Sequence, residues 1–192
     1  SWYVFVILVM PVFYVISVAS FTPLTGRTLP PMPYQGSLAQ LPLAMLAAFS
    51  LRLFFGGANE EVGWRGFALP LLQERHSPLV ASLIISFYWG LWHLPLHLNG
   101  TYSSGWLGLA QVVARIIMSV PFALLMTWIF NRTQGSLPMV MLLHAANNTT
   151  PQFLLPGFLE QLFIIVLAVI ILIRDRMWRK PVREPVTVPV VV

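Results

Sequence analysis

The chain has 192 residues, of which 57% are hydrophobic and only 9% are charged. Its mean hydropathy is +0.77. Ordinary soluble domains are about 45–50% apolar, so this composition excludes a soluble globular protein and indicates a membrane protein. The length suits about one domain and no polar linker divides the chain, so we expect a single transmembrane domain over residues 1–180. Because the sequence begins at Ser1 and runs at once into apolar residues, we also expect further helices upstream.

The formal net charge of +5 and the pI near 10.2 would suit a nucleic-acid-binding protein, but the basic residues do not cover one face. Five of the eleven follow the last apolar run: Arg174, Arg176, Arg179, Lys180 and Arg183. Such a cluster is typical of a cytoplasmic membrane flank. We therefore predict no nucleic-acid partner and an integral protein of the bacterial cytoplasmic membrane, with its C-terminus in the cytoplasm. The absence of cysteine excludes disulfides, thiolate metal ligands and a cysteine nucleophile.

The first half of the chain holds two long apolar segments. Residues 2–21 carry no charge and are long enough to cross a hydrocarbon core of about 30 Å as a helix. Residues 22–36 are rich in proline and glycine, which predicts a loop. Residues 37–73 are either one long tilted helix or two helices that break near Gly56 and Gly57, and we favour the break because glycine weakens a helix.

The second half predicts four more helices, over residues 79–98, 106–130, 137–150 and 158–173. The polar or proline-containing connections between them cover residues 75–78, 99–105, 131–136 and 151–157. We therefore expect an all-α polytopic bundle with about six crossings. Alternation of the crossings places Arg75 and Arg132 on the side of the C-terminal basic cluster and leaves Arg27 as the exception. Residues 181–192 contain three prolines among valines, which predicts an extended or disordered tail.

Ionisable residues within a span cost about 2.5–3.5 kcal/mol each on insertion scales and mark functional sites. The candidates are Arg52, Glu60, Glu61, Arg65, His93, Arg115, His144 and Glu160. On a helix Glu61 and Arg65 share a face and can form an ion pair. Glu60 lies about 100° around the helix from Glu61 and lacks that partner, which suits a general base. The alternative is that all three residues only brace neighbouring helices.

Two histidines precede and follow Pro95. His93 lies one turn after Trp89 in an aromatic helix, where a lone histidine is either a packing residue or a functional one. His97 would complete a His-x-x-x-His metal pair with His93, but Pro95 disturbs that spacing. We therefore expect His97 to lie at the membrane interface.

His144 and Asn148 lie one turn apart on one helical face. They are suited to metal ligation, to orienting a water, to stabilising an oxyanion, or to hydrogen bonding between helices. At a rise of about 1.5 Å per residue, Glu60 lies roughly 20 Å deep, His93 roughly 21 Å, His144 roughly 11 Å and Asn148 roughly 17 Å. We therefore expect these four side chains to meet in one cavity.

Three ordered motifs carry a family resemblance: Glu60-Glu61-x-x-x-Arg65, Trp89-x-x-x-His93 and His144-x-x-x-Asn148. They resemble the motifs of the CPBP family, which contains CAAX prenyl endopeptidases and bacteriocin-processing relatives and is also called the Abi family. The resemblance covers about residues 37–173. The second motif of the family commonly begins with Phe, where this chain has Trp89.

The resemblance implies an intramembrane endopeptidase that acts on a membrane-associated peptide or protein in the lipid bilayer. Glu60 would be the general base on a water, and Glu61 with Arg65 would shape the site. His93 would orient or ligate, and His144 and Asn148 would bind metal or stabilise the oxyanion. Family members are described as metalloproteases, so the resemblance implies a divalent metal, zinc, held by Glu60, His93, His144 and Asn148. A metal-free glutamate mechanism is the alternative, because the chain lacks a His-Glu-x-x-His helix.

Two non-proteolytic functions remain as alternatives. One is a non-catalytic bacteriocin immunity or partner-binding protein on the same scaffold, which the loss of a motif residue would favour. The other is a proton-coupled transporter that uses Glu60, His93 and His144 as a relay, which internal repeats would favour. All the motif residues are present and no such repeat is evident, so the protease is the favoured interpretation.

Overall fold

A computed structural model describes residues 2–98, 105–155 and 158–180, and every regular element in these ranges is helical. The α-helices are α1 (Trp2–Thr25), α2 (Leu41–Phe54), α3 (Glu61–Gly63), α4 (Leu69–Arg75), α5 (Pro78–Trp92), α6 (Leu94–Leu98), α7 (Gly105–Arg132), α8 (Leu137–Thr149) and α9 (Phe158–Arg174). A 3-10 turn (Gly57–Glu60) precedes α3, and a second one (Thr150–Gln152) follows α8. A π-helical turn (Trp64–Ala68) joins α3 to α4. The predicted all-α class is confirmed, whereas the predicted tail 181–192 and residues 99–104 of the predicted loop lie outside the described residues.

Four helical stretches among the described residues are long and apolar enough to cross a membrane: Trp2–Thr25, Leu41–Arg75, Pro78–Leu98 and Trp106–Arg132. Large apolar side chains such as Leu43, Phe54 and Ile117 are more than half exposed on their outer faces. Exposed apolar faces of this kind suit contact with lipid, because a helix satisfies its backbone hydrogen bonds internally. The chain is therefore an integral membrane protein. The count of about six crossings stays a prediction, because α8 and α9 have only 13 and 17 residues.

Helix α8 lies at the centre of the bundle, in contact with α1, α2, α7 and the turn before α3. Helices α5 and α7 pack closely against each other, and α1 also packs on α9. Gly90 permits the α5–α7 approach, since a Cβ atom there would lie 3.0 Å from the Ile116 Cα atom. Val140 and Leu143 of α8 and Leu125 of α7 are fully buried between these helices. The core therefore carries His144, which follows Leu143, into the middle of the protein.

The first predicted loop begins one turn too early. Helix α1 continues through Pro23 to Thr25, where the prediction placed a loop from residue 22. A proline in the last turn removes only one backbone bond, and the Thr25 hydroxyl donates to the Phe21 carbonyl at 2.7 Å. Gly26, at φ +67°, then ends the helix with its N–H on the Thr22 carbonyl. The helix boundary is therefore set by this glycine rather than by the proline.

The favoured break near Gly56 and Gly57 is confirmed. Helix α2 ends at Phe54, and Gly56 has an extended backbone before the chain turns into helix again. Glu60 consequently ends the 3-10 turn and Glu61 begins α3. The break separates the two carboxylates from α2 and aims them towards α5 and α8.

The helix ends that the charge pattern predicted to lie on one side are found together at one end of the bundle. The Leu79 N–H donates to the Met177 carbonyl at 2.9 Å, which ties the start of α5 to the segment after α9. The Gln73 and Asn131 carboxamides exchange hydrogen bonds of 3.2 and 2.9 Å, which ties the end of α4 to the end of α7. Arg75, Arg132 and the described part of the C-terminal basic cluster thus lie on one side of the protein, as predicted.

Candidate active site

A cavity of about 620 Å³ opens between α1, α2, α5, α7, α8 and α9. Its lining includes Glu60, His93, His144 and Asn148, so the predicted convergence of these four side chains in one cavity is confirmed. They come from three separate elements: the turn before α3, the end of α5, and α8. A polar cavity of this kind among membrane helices is the usual setting of a functional site.

Glu60 is half-buried at the cavity wall and accepts a hydrogen bond from the Trp89 indole N–H at 2.9 Å. The sequence-based prediction left Glu60 without a partner and did not include Trp89 among the site residues. Trp89 stacks on Phe122 with ring centroids 6.2 Å apart and meets the His144 ring edge-on at 5.4 Å. The tryptophan itself was the available signal, since its indole N–H is a donor that a phenylalanine would lack.

Glu61 and Arg65 form the predicted ion pair, and both side chains are fully buried. One Arg65 nitrogen donates to both Glu61 oxygens, at 2.8 and 3.1 Å. The guanidinium also lies 5.3 Å from the centroid of the Trp89 ring, where the aromatic face attracts a cation. Neither residue lines the cavity, so this buried pair supports the cavity wall without facing the cavity.

Hydrogen bonds fix the orientation of both cavity histidines. The Nδ1 atom of His93 lies 2.7 Å from the Trp89 carbonyl oxygen, and a carbonyl only accepts, so this nitrogen carries a hydrogen. The Nδ1 atom of His144 lies 2.7 Å from Glu61 Oε1, and a carboxylate likewise accepts. In the neutral ring the lone pair is therefore on Nε2 of each histidine.

Gly57 leaves a small space against α8. A Cβ atom at Gly57 would lie 2.5 Å from His144 Nε2 and 2.7 Å from Asn148 Nδ2, so these two nitrogens converge on one point of the wall. The carboxamide oxygen of Asn148 accepts from Asn147 Nδ2 at 3.2 Å. Asn148 thus presents N–H groups, rather than its oxygen, to the space beside His144.

This donor set does not match a metal site as it stands. Among residues 2–98, 105–155 and 158–180 no three His, Asp or Glu side chains are grouped so that they could hold a metal ion. The amide oxygen that Asn148 would offer to a metal is also engaged by Asn147. The zinc site stays a prediction.

The remaining ionisable candidates divide between the cavity and the packed interior. Arg52 and Arg115 are exposed and line the cavity, where they add two positive charges. Glu160 pairs with neither of them and accepts from the Ser17 hydroxyl at 3.2 Å. His97 is buried at 5% exposure, with Nδ1 3.2 Å from Gln111 Oε1, and its depth at the membrane interface stays a prediction. A new short helix, α6, starts after His93 and turns His97 against α7.

Comparison with protein families shows to which family the chain is related. Residues 42–150, more than half of the chain, match the family model described as "Type II CAAX prenyl endopeptidase Rce1-like". The chain belongs to this family. The matched range contains all three motifs that line or support the cavity, from Glu60 to Asn148.

One curated protein is similar to the chain over a long stretch. It is "CAAX prenyl protease 2" of Methanococcus maripaludis, which is 28% identical over 137 residues. The alignment covers 64% of this chain and 49% of the relative, so the chain spans about half the length of that protein.

Proposed function

We propose that this member of the Rce1-like family is an intramembrane endopeptidase that hydrolyses a peptide bond in the 620 Å³ cavity, with Glu60 as general base. The observation that carries the proposal is the meeting of Glu60, His93, His144 and Asn148 at the wall of one membrane cavity. A carboxylate that can reach water, together with two imidazoles, provides the acid–base groups that hydrolysis requires. Family membership supports the same activity.

In the first step Glu60 takes a proton from a water as the water oxygen bonds to the peptide carbonyl carbon. Trp89 holds Glu60 Oε2 at 2.9 Å, which orients the carboxylate without neutralising it. His93 presents the Nε2 lone pair to the same cavity, because its other nitrogen is held by the Trp89 carbonyl. This lone pair is suited to accept the second hydrogen of the attacking water and to fix its position.

The carbonyl π electrons move to oxygen, and the resulting oxyanion needs donors. Asn148 Nδ2 meets that need at the space beside Gly57, and His144 adds a second donor when its ring is protonated. Donors placed where charge develops stabilise a transition state strongly in a site of low dielectric constant. The C–N bond then breaks, the amine leaving group takes the proton from Glu60, and a carboxylic acid and an amine are released.

Glu61 and Arg65 are positioning residues in this mechanism. The Glu61 carboxylate holds the His144 ring through Nδ1 at 2.7 Å, and Arg65 compensates the Glu61 charge. Arg65 also packs on the ring of Trp89, which holds Glu60. The second acidic residue of the motif therefore acts through His144, and not on the substrate.

The substrate that we propose is a membrane-associated peptide or protein. The cavity lies among helices that can cross a bilayer, so a lipid-anchored or membrane-embedded segment has the shortest route to it. Arg52 and Arg115 favour a substrate that carries an anionic group, because opposite charge raises its local concentration. The similar Methanococcus maripaludis protein is named "CAAX prenyl protease 2", which makes a prenylated peptide the natural first probe.

The test is cleavage of a fluorescent prenylated peptide by the purified chain in proteoliposomes. We expect Glu60→Gln to lower kcat by about 10²–10⁴-fold, the usual contribution of a general base. Glu74→Gln is the matched control, because Glu74 is an exposed carboxylate at the end of α4 that does not line the cavity. Full activity in Glu60→Gln, with normal insertion of both variants, would refute the assignment.

A chelator arm of the same assay tests the metal. Loss of cleavage on chelation, with recovery on addition of Zn²⁺, would support the zinc mechanism with Glu60, His93, His144 and Asn148 as candidate ligands. Unchanged cleavage at a chelator concentration that strips a control zinc protease would support the metal-free glutamate mechanism.

A further inference from the structure

A second cavity, of about 520 Å³, lies where α5 begins and α7 and α9 end. Five basic side chains line it: Arg132, Arg174, Arg176, Arg179 and Lys180. It shares no lining residue with the candidate active site. We call it the basic cavity, and no step of the proposed hydrolysis uses it.

The basic cavity carries a large excess of positive charge. Asp175 is the acidic residue in its lining, and Arg132 compensates that charge with hydrogen bonds of 2.7 and 3.0 Å. The Trp128 indole N–H donates to the same carboxylate. Four cations are left that make no salt bridge to any residue the structure describes: Arg174, Arg176, Arg179 and Lys180. An anion in this cavity would therefore meet uncompensated charge.

The wall of the basic cavity is an ordered turn. After α9 the Met177 N–H bonds the Leu172 carbonyl at 3.1 Å, and the Arg176 N–H bonds the Ile173 carbonyl at 3.3 Å. These two bonds close a helix end of the Schellman type, in which a left-handed residue follows the helix. Met177 is buried at 4% exposure, and its carbonyl accepts from Leu79. The basic side chains are thus presented by backbone that is fixed to α5.

Arg176 occupies the left-handed position of this turn, at φ 49°. Glycine is the usual residue there, and a residue with a Cβ atom costs about 1–2 kcal/mol. The backbone alone would therefore favour glycine, whereas the arginine contributes a guanidinium to the cavity. Backbone strain of this kind clusters at functional sites.

The surroundings of the basic cavity are those of a membrane interface. Trp128 packs edge-on against Trp2 with ring centroids 5.2 Å apart, and Trp178 is half exposed nearby in the chain. Tryptophans concentrate at the level of the lipid headgroups. Arginine forks match phosphate oxygens in pairs, and basic pockets between transmembrane helices bind anionic headgroups.

We propose that the basic cavity binds the phosphate of an anionic phospholipid headgroup. The general positive charge of a cytoplasmic membrane flank explains exposed basic residues, but it requires neither a cavity nor an arginine in a left-handed turn. A bound headgroup would bridge the ends of α7 and α9 and the start of α5.

Calorimetric titration of the full chain in neutral detergent tests this site. The probes are a short-chain phosphatidylglycerol, a phosphatidylcholine of equal chain length, and inorganic phosphate. We expect phosphatidylglycerol to bind at least about tenfold more tightly than either of the other two. Arg179→Gln should raise the Kd for phosphatidylglycerol about five-fold, since a basic side chain near anionic lipid contributes about 1 kcal/mol. Arg75→Gln, which removes one exposed charge from the same end outside the cavity, should change the Kd less than two-fold.

Arg176→Gly separates binding from folding. The glycine relieves the left-handed strain, so the unfolding temperature should stay level or rise while the phosphatidylglycerol Kd increases about five-fold. Equal weakening by Arg179→Gln and Arg75→Gln would overturn the proposal in favour of general surface attraction. If inorganic phosphate bound as tightly as phosphatidylglycerol, the cavity would be a site for a free ion and the proposal would be wrong. If phosphatidylcholine bound as tightly as phosphatidylglycerol, the charge of the headgroup would not determine binding, which would also contradict the proposal.

Discussion

Trp89 donates its indole N–H to the Glu60 carboxylate at 2.9 Å, across the gap between α5 and the turn before α3. A phenylalanine at this position would have no donor and could not make this bond. One Glu60 oxygen is thereby fixed, and the carboxylate is held at the cavity wall in a defined orientation. The orientation of the proposed base thus depends on the indole N–H of Trp89.

We expect Trp89→Phe to fold and to bind substrate but to turn it over more slowly. The phenyl ring keeps the stacking with Phe122 and a face for Arg65, whereas the hydrogen bond to Glu60 is lost. Water in the cavity replaces part of that bond, so the loss is about 1 kcal/mol, or about five-fold in kcat. Steady-state kinetics in proteoliposomes should show the change in kcat with KM nearly constant.

Trp92→Phe is the matched control for this variant. Trp92 lies in the same helix with 63% of its surface exposed, and it does not line the cavity. Its replacement should leave kcat unchanged. An equal effect of the two substitutions would show that the indole of Trp89 has no special role.

Gly57→Ala should inactivate the protein without unfolding it. The added methyl carbon would lie 2.5 Å from His144 Nε2 and 2.7 Å from Asn148 Nδ2, which forces both side chains away from the wall. Displacement of catalytic groups by about 1 Å costs about 10²-fold in rate, so we expect a loss of that size in kcat/KM.

Gly63→Ala provides the comparison for Gly57→Ala. A Cβ atom at Gly63 meets nothing within 4 Å, and alanine is the better helix former by about 1 kcal/mol. This variant should keep full activity and unfold at an equal or higher temperature. If Gly57→Ala were as active as Gly63→Ala, the two nitrogens beside Gly57 would have no part in the reaction.

The buried pair of Glu61 and Arg65 allows stability and activity to be separated. Glu61→Gln leaves the Arg65 charge buried without a counter-ion, and we expect a destabilisation of about 3–5 kcal/mol. Adding Arg65→Met removes that charge, so the double variant should recover most of the unfolding temperature measured in detergent.

Activity should not return with stability in this double variant, because His144 has lost the carboxylate that holds its ring. Recovery of both properties would make the pair purely structural. A double variant as unstable as Glu61→Gln would contradict the assignment of the destabilisation to an uncompensated arginine charge.

The ion pair at the basic end predicts a pH dependence of stability. Hydrogen bonds from Arg132 hold the pKa of Asp175 below its ordinary value of 3.8. A carboxylate with a lowered pKa stabilises the fold fully above pH 3.8, and the contribution declines below that pH until it is lost beneath the folded pKa. Because Arg132 is about half exposed, the contribution is at most about 1 kcal/mol, or about 2–4 °C.

We therefore expect Asp175→Asn to lower the unfolding temperature at pH 7 and to converge on the parent protein as the pH falls from 3.8 through the lowered pKa of the folded state. Glu74→Gln, at an exposed carboxylate without a salt bridge to any described residue, should show no such convergence. A difference between Asp175→Asn and the parent that stays constant with pH would contradict the ion-pair explanation.

Local sequence signals located the helices and the groups that meet in the cavity. Ser77-Pro78 and Leu137-Pro138 mark the starts of α5 and α8, since proline is accepted in the first turn of a helix. The four-residue spacing of Glu61 and Arg65 was enough to predict their contact, because neighbours on a helical face are fixed by its period. Depth along each helix then predicted which groups share a level.

The features that the sequence did not predict all depend on contacts between distant segments. Nothing near Glu60 in the chain indicates that Trp89 will donate to it, because the two are 29 residues apart. His97 packs against α7 because a short helix starts after the interruption at His93, and that contact between segments was not predicted. The left-handed Arg176 precedes Met177, whose carbonyl accepts from Leu79 of α5, and no local propensity predicts this arrangement.

The break before α3 also has a consequence for the two adjacent carboxylates. Glu60 lines a cavity, whereas Glu61 has no exposed surface and is enclosed by Arg65 and His144. Two acidic residues that are adjacent in sequence therefore lie in different environments. The first is at the cavity wall and the second is in the packed interior, so the boundary between the two passes through the peptide bond that joins them. A polar reagent that modifies carboxylates would reach the first residue and not the second, so chemical labelling can distinguish groups that are adjacent in sequence.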